Sequence, residues 1–108
     1  MLAVTRCVVP DAAAAHFQAV AQQVLDALSA RSGFVRGRLG RAADDPALWV
    51  LVTEWEGMGA YRRGLSSYDV KLAFAALMGD VVNEPSAFEV ISGVERPAST
   101  AGASGDDE

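Results

Sequence analysis

Apolar and polar positions along this chain follow two periods, and each change of period marks a new element. Residues 2–9, LAVTRCVV, are a β-branched apolar run. Pro10 ends it, since proline has no N–H to give a strand ladder. Asp11 then stands as an N-cap, and Phe17, Val20, Ala21, Val24, Leu25 and Leu28 recur at helical spacing, which predicts a helix over about 12–30. Gly33 is expected to stop that helix in a positive-φ conformation. FVRGRLGR (34–41) alternates Phe34, Arg36 and Arg38 against Val35, Gly37 and Leu39, and reads as a second strand. AADDP (42–46) is turn chemistry, and ALWVLVTEW (47–55) is the strongest strand signal in the chain. A helical region over about 58–79 follows, broken near Ser66, where Ser66 and Asp69 have the spacing of a capping box. Gly79, Asp80, Asn83 and Pro85 then lead into a fourth strand, AFEVISGV (87–94).

The order β-α-β-β-α-β predicts an α+β, ferredoxin-like fold, a four-stranded antiparallel sheet with the helices on one face. One domain over 1–96 accounts for the pattern, and 97–108 has the composition of a flexible acidic tail. A sheet covered on one face only should alternate apolar and polar residues. These strands do not. The third offers Leu48, Val50 and Val52 on one face and Trp49, Leu51, Thr53 and Trp55 on the other, and the first sets Leu2, Val4 and Val8 against Ala3, Cys7 and Val9. Both faces therefore ask for burial, and the simplest symmetric cover for the second is the same face of another copy, a homodimer through the sheet face. In the helical region Tyr61, Leu65, Tyr68 and Leu72 share a stripe opposite Val70, Phe74, Leu77 and Val81 on one continuous wheel, so that stripe needs core, partner or ligand beside it.

Composition removes several classes of function. With 51% hydrophobic and 21% charged residues the chain is too apolar to be disordered. Its nine basic residues, eight arginines and Lys71, face fourteen acids, and the net charge of −5 falls to −2 without the tail's Asp106, Asp107 and Glu108. Arg36, Arg38 and Arg41 form too short a cluster for a phosphate backbone, so nucleic acid is not an expected partner. Cys7 is the only cysteine, which excludes an internal disulfide, fits a reducing cytoplasm, and reads as a small buried hydrophobe. MLAVTRCVVP lacks a charged lead before a long apolar run, so neither export nor a membrane partner is expected.

The Gly-Phe pair at 33–34 that enters the second strand, Glu54 and Trp55 at the end of the third, and the short helix straight after resemble the antibiotic biosynthesis monooxygenase family, and with the first βα unit the resemblance covers about residues 1–94. It implies a dimeric α+β barrel. It implies also a cavity between sheet and helices, lined by Trp55, and oxidation of small aromatic, polyketide-derived compounds such as anthrones by molecular oxygen without metal or flavin. A related branch binds and degrades haem through a histidine eight to ten residues after that tryptophan. Here the helix after Trp55 holds Tyr61, Arg62, Arg63 and Gly64 and no histidine, and the single histidine, His16, reads as a surface residue of the first helix. Haem is therefore the weakest of the readings, and no cofactor is expected.

Such oxygenation needs a protein that binds, deprotonates and shields its substrate. Trp55 can stack on an aromatic ring, Tyr61 or Tyr68 can hydrogen-bond a phenolic or keto oxygen, and Arg62, bordering the tyrosine stripe, can stabilise an oxyanion in a water-poor site. These four are the candidate catalytic residues. Asn83 is better read as a turn residue. Ser66, Ser67 and Cys7 have no base beside them, GRLGRAAD does not open a helix and so makes no nucleotide cradle, and no His/Cys/carboxylate cluster suggests a metal. The competing reading is a non-catalytic small-molecule-binding or assembly domain, in which the same aromatics are packing residues of a homodimer.

Overall fold

The computed structural model describes residues 1–97. Four strands, β1 (Leu2–Val8), β2 (Phe34–Arg41), β3 (Leu48–Trp55) and β4 (Ala87–Phe88), form one sheet in the order β2-β3-β1-β4. All pairings are antiparallel. Helices α1 (Ala14–Ser29), α2 (Met58–Leu65) and α3 (Tyr68–Ala75) complete the α+β, ferredoxin-like arrangement that the element order predicts. Among the described residues no helix is long and apolar enough to cross a membrane.

The core lies where α1 meets the sheet. Phe17, Val20, Ala21, Val24 and Leu28 are the buried stripe of α1, and β3 answers with Trp49, Leu51, Thr53 and Trp55, strictly alternating with less buried neighbours. Cys7 joins this core as a buried residue of β1. The other face of the sheet carries Leu2, Val4, Val8, Leu48, Val50 and Val52, apolar yet not buried.

Local details differ from the sequence expectation in five places. After Pro10 the chain tightens into a 3-10 turn over Asp11–Ala13, with the Ala13 N–H bonding the Pro10 carbonyl at 2.9 Å. Ala13, not Asp11, precedes α1, and the exposed Asp11 carboxylate accepts instead from Arg41 Nη2 at 3.3 Å. Gly33 has the expected positive φ, +88°, but α1 has already ended at Ser29, so the glycine shapes the entry to β2. A bulge between Phe34 and Arg36 then places Phe34, Gly37 and Leu39 on one face and Arg36 and Arg38 on the other, so the strict alternation is broken.

The expected capping box does not form. The Ser66 hydroxyl donates back to the Arg62 carbonyl at 3.0 Å and closes α2, while Ser67 begins α3 and its hydroxyl accepts from Arg31 Nη1 at 3.3 Å. Finally, the fourth strand covers only Ala87 and Phe88 rather than 87–94. The chain flanks β1 twice, first through a Cys7–Val81 bridge and then through Leu2–Phe88 and Ala3–Ala87, with Pro85, which has no N–H to donate, between the two. Beyond Phe88 it leaves the sheet, and Ile91 and Val94 are 84% and 97% exposed. The predicted acidic tail lies, past Pro97, outside the described residues.

Candidate functional site

A cavity of about 520 Å³ opens between β1, the two short helices and the segment 81–86. Leu65, Val70, Phe74 and Val81 make its apolar wall, and Thr5, Tyr61, Asn83 and Ser86 contribute polar atoms. Exposed Lys71, Met78 and Glu84 mark its mouth. The break at Ser66–Ser67 builds this wall. It turns α3 relative to α2, so that Tyr61 and Leu65 of one helix converge with Val70 and Phe74 of the other. The stripe predicted on one continuous wheel is thereby split, leaving Tyr68 75% and Leu72 61% exposed on the outside.

Tyr61, half-buried, carries its phenol from the aromatic core to the cavity. Its ring lies 5.8 Å from Trp55, edge to face. Trp55 is itself pinned: it is 2% exposed, its Nε1 donates to Thr53 Oγ1 at 2.9 Å, and Phe34 packs edge-on at 5.3 Å. Gly64 closes over it so tightly that a Cβ at that position would lie 2.8 Å from Trp55 Cη2. Burial pushes the Tyr61 phenol above its ordinary pKa, and the neighbouring Ser86 side chain pulls only partly the other way. At neutral pH the group is therefore a phenol, a hydrogen-bond donor rather than a phenolate base.

Of the four residues predicted from sequence, the structure brings two together. Tyr61 lines the cavity and Trp55 stands directly behind it, outside the lining. Arg62 points to a separate depression beside Met1, Met58 and Glu89, and Tyr68 is on the outer surface. The lining residues Thr5, Lys71, Phe74 and Ser86 were not foreseen, and Asn83 was set aside as a turn residue. Only Lys71 carried a visible signal, as the one lysine in the chain. His16 is exposed on α1 as expected. Among the described residues no three His, Cys, Asp or Glu side chains are grouped so as to hold a metal ion.

The family model for antibiotic biosynthesis monooxygenase matches residues 1–84, most of the described chain. The chain belongs to the antibiotic biosynthesis monooxygenase family. Among solved structures of similar fold is SnoaB from Streptomyces nogalater, described as a cofactor-independent oxygenase. One SnoaB structure is 25% identical, with 85% of this chain and 96% of SnoaB covered and a TM-score of 0.69. A mutant form of SnoaB is 24% identical over 88% of this chain and 96% of its own, with a TM-score of 0.75. Rv0793 from Mycobacterium tuberculosis shares the fold at 18% identity, 90% and 97% coverage and a TM-score of 0.66. Comparison with curated proteins finds no match. For a member of the antibiotic biosynthesis monooxygenase family, the cavity beside Tyr61 is the candidate site.

Proposed function

We propose that this family member is a cofactor-independent oxygenase that oxidises a small aromatic compound with molecular oxygen in the cavity beside Tyr61, and that it works as a homodimer. The cavity carries the reading: about 520 Å³, apolar over much of its wall, with a protonated phenol set into it. That volume suits one ligand of drug-like size. The description of SnoaB as a cofactor-independent oxygenase supports the reaction class.

A ring methylene of an anthrone-like substrate loses a proton, and the resulting enolate gives one electron to oxygen. The carbon radical and superoxide then combine as a peroxide, which takes the proton back to become a hydroperoxide, and loss of water leaves a new carbonyl. One oxygen atom ends in the quinone and the other in water. Tyr61 donates a hydrogen bond to the enolate oxygen, where a fixed donor in a water-poor site acts more strongly than in solution. Glu84, the one carboxylate on the lining, takes the proton. Trp55 holds the Tyr61 ring in place, and Arg62 and Tyr68, off the cavity, take no step. The homodimer reading rests on the helix-free sheet face, whose Val4, Val50 and Val52 sit together unburied.

The test is oxygen uptake by the chelator-treated protein with an anthrone, beside a no-protein control for autoxidation. Uptake should exceed the control, and Tyr61→Phe should lower kcat by about 100-fold, the usual loss of one oxyanion donor. Uptake equal to the control refutes the oxygenase assignment, and a Tyr61→Phe variant as active as the parent refutes the role given to Tyr61. A second reading, a non-catalytic binding module, is favoured by one observation: Trp49 and Trp55 are both core residues rather than lining residues.

A further inference from the structure

Lys71 is the single lysine of the chain, and it lines the cavity. It sits on α3 beside Val70, which is wholly buried, so the backbone there is fixed while the ammonium group reaches solvent at the mouth. The ion pairs among the described residues are Arg6–Glu84, Arg36–Glu54 and Arg41–Asp11, and none of them uses Lys71. The acid on the same lining, Glu84, is already engaged, its Oε1 lying 3.5 Å from Arg6 Nε. Arg6 is in turn held by donation to the Pro85 carbonyl at 3.3 Å. The negative charge at the mouth thus has a counter-charge from the protein, and the positive charge has none among the described residues.

From this imbalance we infer that the cavity takes an anion: a ring compound bearing a carboxylate that pairs with Lys71, its ring lying against Leu65, Val70 and Phe74. The inference rests on the reading of the cavity as the ligand site and adds the substrate class. Lysine is a compact point charge on a flexible stem, so it selects for negative charge at the mouth without dictating the ring's orientation. Because the ammonium is exposed, the preference is a modest one that salt weakens.

Fluorescence titration of the full chain with hydroxynaphthoic acid and with its methyl ester, at low and high salt, tests this. The acid should bind roughly threefold to fivefold more tightly than the ester at low salt, and the advantage should shrink as salt rises. Lys71→Arg should keep the preference, and Lys71→Met should bring the ratio of the two affinities close to one. Equal binding of acid and ester by the parent protein, or an undiminished preference in Lys71→Met, overturns the inference and leaves the cavity reading standing. Failure of both probes to bind, or ester binding that survives filling the cavity by Leu65→Trp, overturns the cavity reading and the inference with it.

Discussion

Replacing Gly64 with alanine separates two opposing effects whose sizes can be worked out from the structure. Alanine is favoured over glycine within a helix by about 1 kcal/mol, and Gly64 lies in the last turn of α2. Against this, the new Cβ would lie 2.8 Å from Trp55 Cη2 and 3.1 Å from Cζ3, where unstrained carbon contacts are about 3.5–4.0 Å. Trp55 cannot simply step aside, because Phe34, Tyr61 and the bond to Thr53 Oγ1 hold it on three sides. Overpacking of this kind costs about 1–3 kcal/mol, so the expected net effect is a loss of about 1 kcal/mol and a Tm lower by roughly 4–8 °C. Thermal unfolding followed by far-UV circular dichroism measures the loss, and the near-UV tryptophan signal reports the displaced ring. Gly79→Ala is the control: no atom lies within 4 Å of its Cβ position, so it should be neutral or stabilising by up to about 1 kcal/mol. Adding Trp55→Phe to Gly64→Ala removes the ring atoms that clash, so the two changes together should cost less than their separate losses added. A Gly64→Ala protein as stable as the parent, with an unchanged near-UV spectrum, would refute the claim that Trp55 is rigidly held behind Tyr61.

Three further outcomes follow from the same structure. Burial, helped by the charge of Asp80, pushes the Cys7 thiol up to about 11; a folded-state pKa above the unfolded value means stability that is complete below about pH 9 and lost as pH rises towards 11, on the order of 3 kcal/mol for two units. Urea unfolding at pH 8 and pH 10.5 should show about 2 kcal/mol of that fall, and Cys7→Ala should reduce it, with Tyr61 adding a loss of the same sign at more alkaline pH. Gly33→Ala should cost about 3 kcal/mol of stability measured by urea unfolding, since it joins a positive φ to an overlap with the Ala60 side chain; a loss under about 1 kcal/mol would show that the β2 entry can relax. Val50→Glu, on the helix-free face, should bring the mass in sedimentation equilibrium down to that of a single 11.3 kDa chain, and a dimer that survives it has a different interface.

Much of the fold was legible because strands and helices announce themselves by local period. β2 was bounded to the residue, and the buried stripe of α1 falls on the positions that spacing picked out. Ends were less legible, because they depend on competition between neighbours. Asp11 was taken by Arg41 rather than by a helix terminus, Ser66 bonded backwards to Arg62, and the fourth strand ran out of pairing on β1 after Phe88. Site residues divided in the same way. Tyr61 was singled out by its phenol and its place after the third strand, and Trp55, singled out with it, stands behind the cavity rather than on its lining, whereas Ser86 and Thr5 are ordinary residues in sequence and line the cavity only because β1 and the returning segment lie side by side.

The amino-acid order by itself determined the element sequence, the apolar stripe of α1, the two-sided apolar character of β1 and β3, and the resemblance to a family that the family model then matched over residues 1–84. Only the tertiary structure decided which aromatic residues meet. A break of two serines between α2 and α3 turned Tyr61 and Phe74 into the same cavity and put Tyr68 on the surface. The physical reason is that hydrophobic period is a property of a few neighbouring residues along one element, while a cavity is made by the angle between elements, which the packing of the whole core sets.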